Sequence, residues 1–314
     1  MSDLWGFGCH IKPLIAKEAV HLDTIIQQII NGLSLGSVYA LIAVGYSLVY
    51  SILLFSNFAH GGFLVISGYI CYFVLGYLGA NIWLSSFAAL VGAGVSAVVV
   101  ERLAYRPIRE RTPITLYMMI ASMGMSIIIE NIFVVTVGGR FRALPPVIPT
   151  QPVSFFGIAT TSAFDILSLV TAVVFLLCLQ MFLSKTKWGL AIRAASYNLR
   201  TAGLMGVNVN RLVAIVFFVS GMLAGVGGIF LSVRYTLYPQ LGMITTKAFV
   251  AAVIGGLGSL PGAVVGSIIL GLAEMLTAGF ISSQFRDLVV FAILIITLII
   301  RPSGLFGISV SEKV

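Results

Sequence analysis

Residues 185–212 read KTKWGLAIRAASYNLRTAGLMGVNVNRL, and this stretch decides how the rest of the chain is arranged. It carries Lys185, Lys187, Arg193, Arg200 and Arg211 without one acidic residue, between two apolar runs long enough to cross a bilayer. A basic connector of this kind belongs on the cytoplasmic side of a membrane. Inside it, Trp188, Ala191, Ile192 and Ala195 recur at i, i+3, i+4 and i+7, one face of a short helix. Tyr197-Asn198 interrupts the pattern. Leu199, Ala202 and Met205 begin a second short face, which Gly206 can end as a left-handed cap. The stretch predicts a part-apolar, part-basic helix pair at the cytoplasmic surface. It either docks a partner or is an ordinary positive-inside connector.

Composition agrees with a membrane location. Of 314 residues, 59% are hydrophobic and 9% charged, whereas soluble domains carry about a quarter charged residues. The expected fold class is therefore all-α, a polytopic membrane helical bundle. The net charge of +8 sits mostly in loops, so it sets orientation and does not imply nucleic-acid binding. Cys71 and Cys178 fall in apolar segments and Cys9 in the N-terminal tail, which suggests neither a disulfide framework nor a metal site. The first twenty residues hold Pro13 and no unbroken apolar core. No signal peptide is expected there, and the first span should direct insertion.

Working outward, residues 1–24 read as a tail, 25–301 as the transmembrane domain and 302–314 as a C-terminal tail. The run 25–55 exceeds the roughly 20 residues that a spanning helix needs. It is polar for its depth, with Asn31, Ser34, Ser37, Tyr39, Tyr46 and Ser47, and its Gly32, Gly36 and Ala40 form a small-residue ridge. A central helix is expected, with Asn31, Ser34 and Tyr39 as candidates for lining a translocation path. Next comes Ser56-Asn57-Phe58-Ala59-His60-Gly61-Gly62. Near the cytoplasmic surface it is a turn. If deep, Asn57 and His60 line a path, because irregular backbone survives at depth only against protein or water.

Further spans follow at 62–79, 82–100, 116–137, 164–184 and 213–233, with a short outer loop at 234–246. Residues 101–115 hold four arginines and two prolines and read as cytoplasmic, while the proline-rich 138–162 reads as an extended outer excursion. Glu130 and Asn131 lie within a span. A buried acid costs at least about 2.5 kcal/mol on insertion scales, so it should be paired or face a cavity. Residues 247–261, KAFVAAVIGGLGSLP, are too short before their glycines for an intact span. Gly255, Gly256, Gly258 and Pro261 then mark a broken or re-entrant helix of the kind found at transporter sites. Residues 262–280 carry Glu274, which joins Glu130 and Asn131 as a candidate for lining the path, and 288–300 form the last span, stopped by Arg301-Pro302. The sum is about eight spans, one interrupted, with the N-terminus outside. Inner segments hold eleven Lys/Arg and outer ones seven.

The sequence has no GxxxxGK[ST] and no HExxH, and no nucleophile–base pair presents itself. What remains describes a transport subunit without its own motor.

Six stretches, in order over nearly the whole chain, resemble the permease family of branched-chain amino acid ATP-binding-cassette (ABC) importers. They are NGLSLGSVYALIAVGYSLVY (31–50), NFAHGG (57–62), ERLAYRPIR (101–109), WGLAIRAASYNLRTAGLMGVNVNR (188–211), AAVIGGLGSLPGAVVGSIILGLAE (251–274) and RPSGLFG (301–307). The resemblance is to the subunit that pairs with a second, homologous permease. It implies a bacterial inner-membrane location, two cytoplasmic ATPase subunits that bind ATP and Mg, and an extracytoplasmic solute-binding protein. It also implies that Gly189, Arg193, Ala194, Asn198, Ala202 and Gly206 belong to an ATPase-coupling segment, with Arg200 beside them. Two positions depart from the family. Gly62 stands where the family usually has Glu, and Glu130 where it usually has Gln. The implied solute is a branched-chain or related hydrophobic amino acid. Urea or a short amide, or action as a stand-alone channel or secondary carrier, are the alternatives.

Overall fold

The computed structural model describes the backbone of residues 11–112, 114–144, 152–155 and 159–307, and the side chains of 24–112, 114–144 and 161–307. Expectations for residues 1–10 with Cys9, for Pro145, Pro146 and Pro149, and for 308–314 fall outside the described residues. The helices are α1 (Ile11–Leu53), α2 (His60–Tyr77), α3 (Ile82–Val100), α4 (Arg106–Arg111), α5 (Thr115–Thr136) and α6 (Ala163–Lys185). They continue as α7 (Lys187–Tyr197), α8 (Leu199–Leu204), α9 (Val209–Tyr235), α10 (Thr245–Gly255), α11 (Leu260–Phe280) and α12 (Arg286–Ile300). A π-turn, Glu101–Tyr105, joins α3 to α4, and a 3-10 segment, Pro239–Ile244, precedes α10. Two short strands, β1 (Pro152–Phe155) and β2 (Ala159–Ser162), pair antiparallel ahead of α6. Part of the outer excursion is thus a hairpin. The all-α membrane bundle is otherwise as expected, with eight helical stretches among the described residues long and apolar enough to cross a membrane.

The first helix is the post around which the others stand. Its backbone is helical from Ile11, so it begins well before residue 25. In its most apolar window 94% of residues are buried, against 72% for α9 and 6% for α12. A helix apolar all round belongs in the core. The small-residue ridge is what lets α11 reach it: a Cβ on Gly32 would meet Leu272 Cα at 2.9 Å, and one on Gly36 would meet the Ser267 carbonyl at 2.9 Å. Across the contact, a Cβ on Gly271 would press on the Gly36 and Gly32 backbone, with Gly32 O at 2.6 Å. Close backbone approach through glycine is the standard device for packing helices in lipid. Helix α9 uses Gly221 in the same way against Ala93 of α3.

Two irregular stretches lie inside this bundle. After Leu53 the chain reverses at Leu54 (φ 54°) and folds back, so that His60 sits beside Gly45. Gly45 is eight residues, about 12 Å of helix, from the end of α1. Residues 56–62 are therefore deep, and the alternative of a surface turn is not the one adopted. The second stretch corrects the expected outer loop at 234–246. Thr236 (φ 63°) turns the chain inward, and Leu237 and Leu241 are fully buried. The 3-10 segment presses Gly242 against the Gly61 backbone. A further irregular stretch thus precedes α10, while the expected interruption is present: α10 ends at Gly255, and Gly255, Gly256 and Gly258 form the tight turn into α11. There the Gly255 and Gly262 backbones touch, and Gly256 (φ 106°) and Gly258 (φ 86°) take conformations that glycine tolerates. Ser259 caps α11, and Pro261 occupies its first turn, where no N–H is needed. Leu305 and Phe306 donate backbone N–H bonds to the Ile254 and Gly255 carbonyls, both at 2.9 Å. The RPSGLFG run thereby satisfies carbonyls at the end of α10.

The basic segments converge at one end of the bundle. Arg109 bonds Asn210, and Arg193 shares a recess with Tyr50 and Ser259. Gly271→Leu is expected to lower the melting temperature and folded yield of the detergent-purified protein, since overpacking costs about 1–3 kcal/mol. Gly76→Ala, with nothing within 4 Å, should be neutral. Melting curves check both, and a Gly271→Leu protein as stable as wild type would refute the close-approach reading.

Candidate translocation path and coupling surface

A cavity of about 280 Å³ opens where α2, α5, the 3-10 segment and α10 meet. Phe58, Gly61 and Gly62 form one wall, Ile127, Ile129 and Glu130 another, and Thr245, Thr246 and Phe249 a third. Glu130 is the one carboxylate lining it among the described residues. It is half-buried, and no cation is paired with it among the described residues. Gly62 faces it across Ile129: a Cβ at 62 would meet Ile129 Cδ1 at 2.8 Å. The two positions that depart from the family pattern therefore share one cavity. Its surface is mainly apolar, and the exposed Met123 and Met243 lie on its rim. The arrangement suits a small solute with an apolar part and a positive group.

The other path candidates are placed differently. Asn57 and His60 are buried one layer behind the Gly61–Gly62 wall. The His60 ring packs on Tyr46 with centroids 4.4 Å apart, and its Nδ1 lies 3.4 Å from Ser220 Oγ. Asn31 accepts a hydrogen bond from Gln27 at 3.2 Å, and Asn131 turns outward to donate to the Ile127 carbonyl at 2.8 Å. Ser34 donates to Asp165 at 2.7 Å and lies 2.9 Å from Ser168, tying α1 to α6. The run Gly32-Leu33-Ser34-Leu35-Gly36 has the GxSxG spelling of a hydrolase nucleophile. It lies mid-helix, however, rather than on the strand-to-helix turn such a serine needs.

Tyr39 and Glu274, both buried, are the inner end of a charge network that reaches the exposed Asp287. Tyr39 donates to Glu274 Oε2 at 3.1 Å, and Lys247 Nζ lies 2.8 Å from both Glu274 and Asp287. The group links α1, α10, α11 and α12. Lys247 and Asp287 were not foreseen as members. The available signal was a lone lysine heading an apolar run that ends near a lone acid. Arg234 similarly neutralises Asp165 at 3.2 Å.

At the basic end, Thr186 caps α7 by accepting from Gly189 N at 3.0 Å, and Asn198 caps α8 by accepting from Thr201 N at 3.0 Å. Gly189 is buried against Phe182 and Leu183, where any Cβ would collide with backbone. Ile192, Ala195 and Ala202 face inward, while Trp188 and Met205 do not: Met205 is 82% exposed. Arg193, Ala194, Asn198, Arg200 and Gly206 are exposed, as are Leu190, Tyr197 and Leu204. Gly206 (φ 91°) ends the pair as a left-handed cap. A recess of about 380 Å³ joins Arg193 and Ser196 to Tyr50, Gly258 and Pro261. Of the coupling candidates, Arg193 thus shares a recess with the α10–α11 turn.

A family model described as "Branched-chain amino acid transport system / permease component" matches residues 28–298. The chain belongs to this permease family. It is 39% identical over 303 residues to "High-affinity branched-chain amino acid transport system permease protein LivH" of Escherichia coli (strain K12), covering 92% of this chain and 97% of that protein. It is 36% identical to the corresponding BraD protein of Pseudomonas aeruginosa, covering 92% and 98%. A "Probable branched-chain amino acid transport permease protein LivH" of Methanocaldococcus jannaschii is 29% identical over 85% of this chain and 88% of that one. The chain is a multi-pass cytoplasmic-membrane permease of ABC transport, a transport component.

In this permease, Lys247→Ala would leave Glu274, 1% exposed, without its cation. Removing one partner of a buried pair costs about 3–5 kcal/mol, so folded yield and melting temperature should fall sharply. Lys247→Met combined with Glu274→Met should recover much of the loss. Equal stability of all three proteins in thermal melts would contradict this.

Proposed function

We propose that this permease is the membrane-spanning subunit of an ABC importer that carries branched-chain or related hydrophobic amino acids into the cytoplasm. ATP and Mg would be bound, and ATP hydrolysed, by two ATPase subunits. A second, homologous permease would complete the pore, and an extracytoplasmic binding protein would deliver the solute. The observation that carries this reading is the α7–α8 pair. It is a capped, rigid knob that projects Leu190, Tyr197, Leu204 and Met205 beside Arg193 and Arg200 at the basic end. The positive-inside rule turns that end to the cytoplasm. Large exposed side chains on a rigid element away from the lipid-facing spans fit a protein–protein contact, and arginine suits a cleft lined by carboxylates.

In this mechanism, ATP-driven closure of the ATPases moves the α7–α8 pairs of both permeases and alternates access to the cavity. The cavity fits this solute class, and its two departures from the family, Glu130 and Gly62, would set the preference within it. Phe58, Phe249 and Ile129 would receive an aliphatic side chain, and Glu130 an ammonium group. With its rim open at Met123 and Met243, one chain supplies only part of the path, and a partner permease would close it.

Two outcomes follow. Arg193→Glu should abolish uptake in cells while the protein remains inserted at wild-type level. Normal uptake by that variant would remove the coupling role. Glu130→Gln should weaken the apparent affinity for the amino acid by about tenfold or more, since a charged hydrogen bond contributes about 1.5–3 kcal/mol, with assembly unaffected. Wild-type uptake kinetics across aliphatic amino acids, urea and short amides would refute that assignment.

A further inference from the structure

Helix α3 enters α4 through the π-turn Glu101–Tyr105, where the Arg106 N–H bonds the Glu101 carbonyl five residues back. Such a turn inserts one extra residue. It rotates the side chains beyond it by about 100° relative to an unbroken helix. Single π-turns inside helices occur frequently at functional sites. Here the turn carries two contacts, one from each of its end residues.

One contact reaches the cavity wall. Tyr105 is fully buried between Phe55 and Phe217, and its hydroxyl donates to Asn57 Oδ1 at 2.8 Å. Asn57 Oδ1 also accepts the Ala59 N–H at 3.2 Å, and its carbonyl accepts the His60 N–H at 3.1 Å. Its Nδ2 has no partner among the described residues. Among the described residues Tyr105 is thus the one side chain with a hydrogen bond to this amide, and the amide holds the stretch leading to Phe58, Gly61 and Gly62. The other contact reaches the helix pair. Arg109 divides one guanidinium nitrogen between buried Glu101, at 3.2 Å, and Asn210 Oδ1, at 2.7 Å. Asn210 stands in the first turn of α9, directly after the linker from α8. The Val207 N–H bonds back to the Ala202 carbonyl at 3.1 Å, closing the end of α8, and Gly203 of α8 lies against Val209 in the first turn of α9.

We propose that the π-turn is the link through which movement of the α7–α8 pair reaches the cavity wall, with Tyr105 and Arg109 as its positioning residues. This rests on the importer reading above. Displacing α8 moves Asn210, Arg109 follows through its fork, and the π-turn passes the motion to Asn57 through Tyr105. The π-turn suits this role because Glu101 and Tyr105, at its two ends, each hold one contact.

The test uses the complete transporter, permeases with ATPases, reconstituted in liposomes with binding protein and leucine as the probe. Uptake and ATP hydrolysis are measured together. Tyr105→Phe keeps the ring packing and removes one hydroxyl. It should leave the melting temperature and ATP hydrolysis near wild type, while solute moved per ATP falls about fivefold or more, the low end of coupling between sites. Arg109→Gln should do the same. The double variant should be no worse than the worse single one, because both act on one route. A wild-type ratio for Tyr105→Phe, uptake and hydrolysis falling in step, or two losses that multiply would each overturn the link. If the unmutated complex shows no ATP-driven uptake, the importer reading fails and the link with it.

Discussion

Every buried peptide group in this protein must find its hydrogen bond within the protein, because lipid offers none. Helices meet that demand by themselves. The two irregular stretches, 54–59 and 236–244, do not, and each survives at depth by leaning on the other and on α1. Asn57 and Ser122 supply side-chain partners for the first stretch, bonding the Ala59 and Phe58 N–H groups. Glycine supplies the closeness: Gly61 and Gly242 meet backbone to backbone. The cavity lies at this junction. There non-helical backbone replaces a continuous wall of side chains.

The same economy governs charge. A charged group inside a span is tolerated when neutralised, and the buried carboxylates show how. Glu274 and Glu101 are each 1% exposed and each has a cation within 3.2 Å. Glu130 is the exception, half-buried at a cavity and with no ion pair. Neutralised acids hold helices together, while the unneutralised one is available to something that enters. A carboxylate in a span is therefore better judged by its partners than by its depth.

The two functional regions lie apart, and the family gives their separation a purpose. In the proposed importer the motor is on other chains, so force applied at the basic end would have to change the shape of the path. The short α10, buried between α1, α11 and the C-terminal run 303–307, and the π-turn beyond α3 both connect the basic end to the cavity. Both are places where regular helix geometry is broken, and a broken ladder has alternative arrangements that an unbroken one lacks.

Hydropathy and the distribution of Lys and Arg were enough to specify the membrane class, eight spans, the basic end, and the capped helix pair with Gly206 closing it. These features depend on local composition and period, which the linear chain displays. The central place of α1 was also legible, from its polar and small residues. The depth of 56–62 was not, nor the inward course of 236–246, because both depend on which backbone comes to rest against Gly45 and Gly61. Glu274 was read as a path residue because its cation, Lys247, stands 27 positions away. The partner of Ser34 was hidden for a similar reason: Asp165 lies 131 positions off. Glu130 and Gly62 were legible as two departures from the family, but only the packing of α2 against α5 brings them to one cavity. Tertiary structure decided what pairs with what, since an ion pair or a hydrogen bond is set by distance in space and a sequence records only distance along the chain.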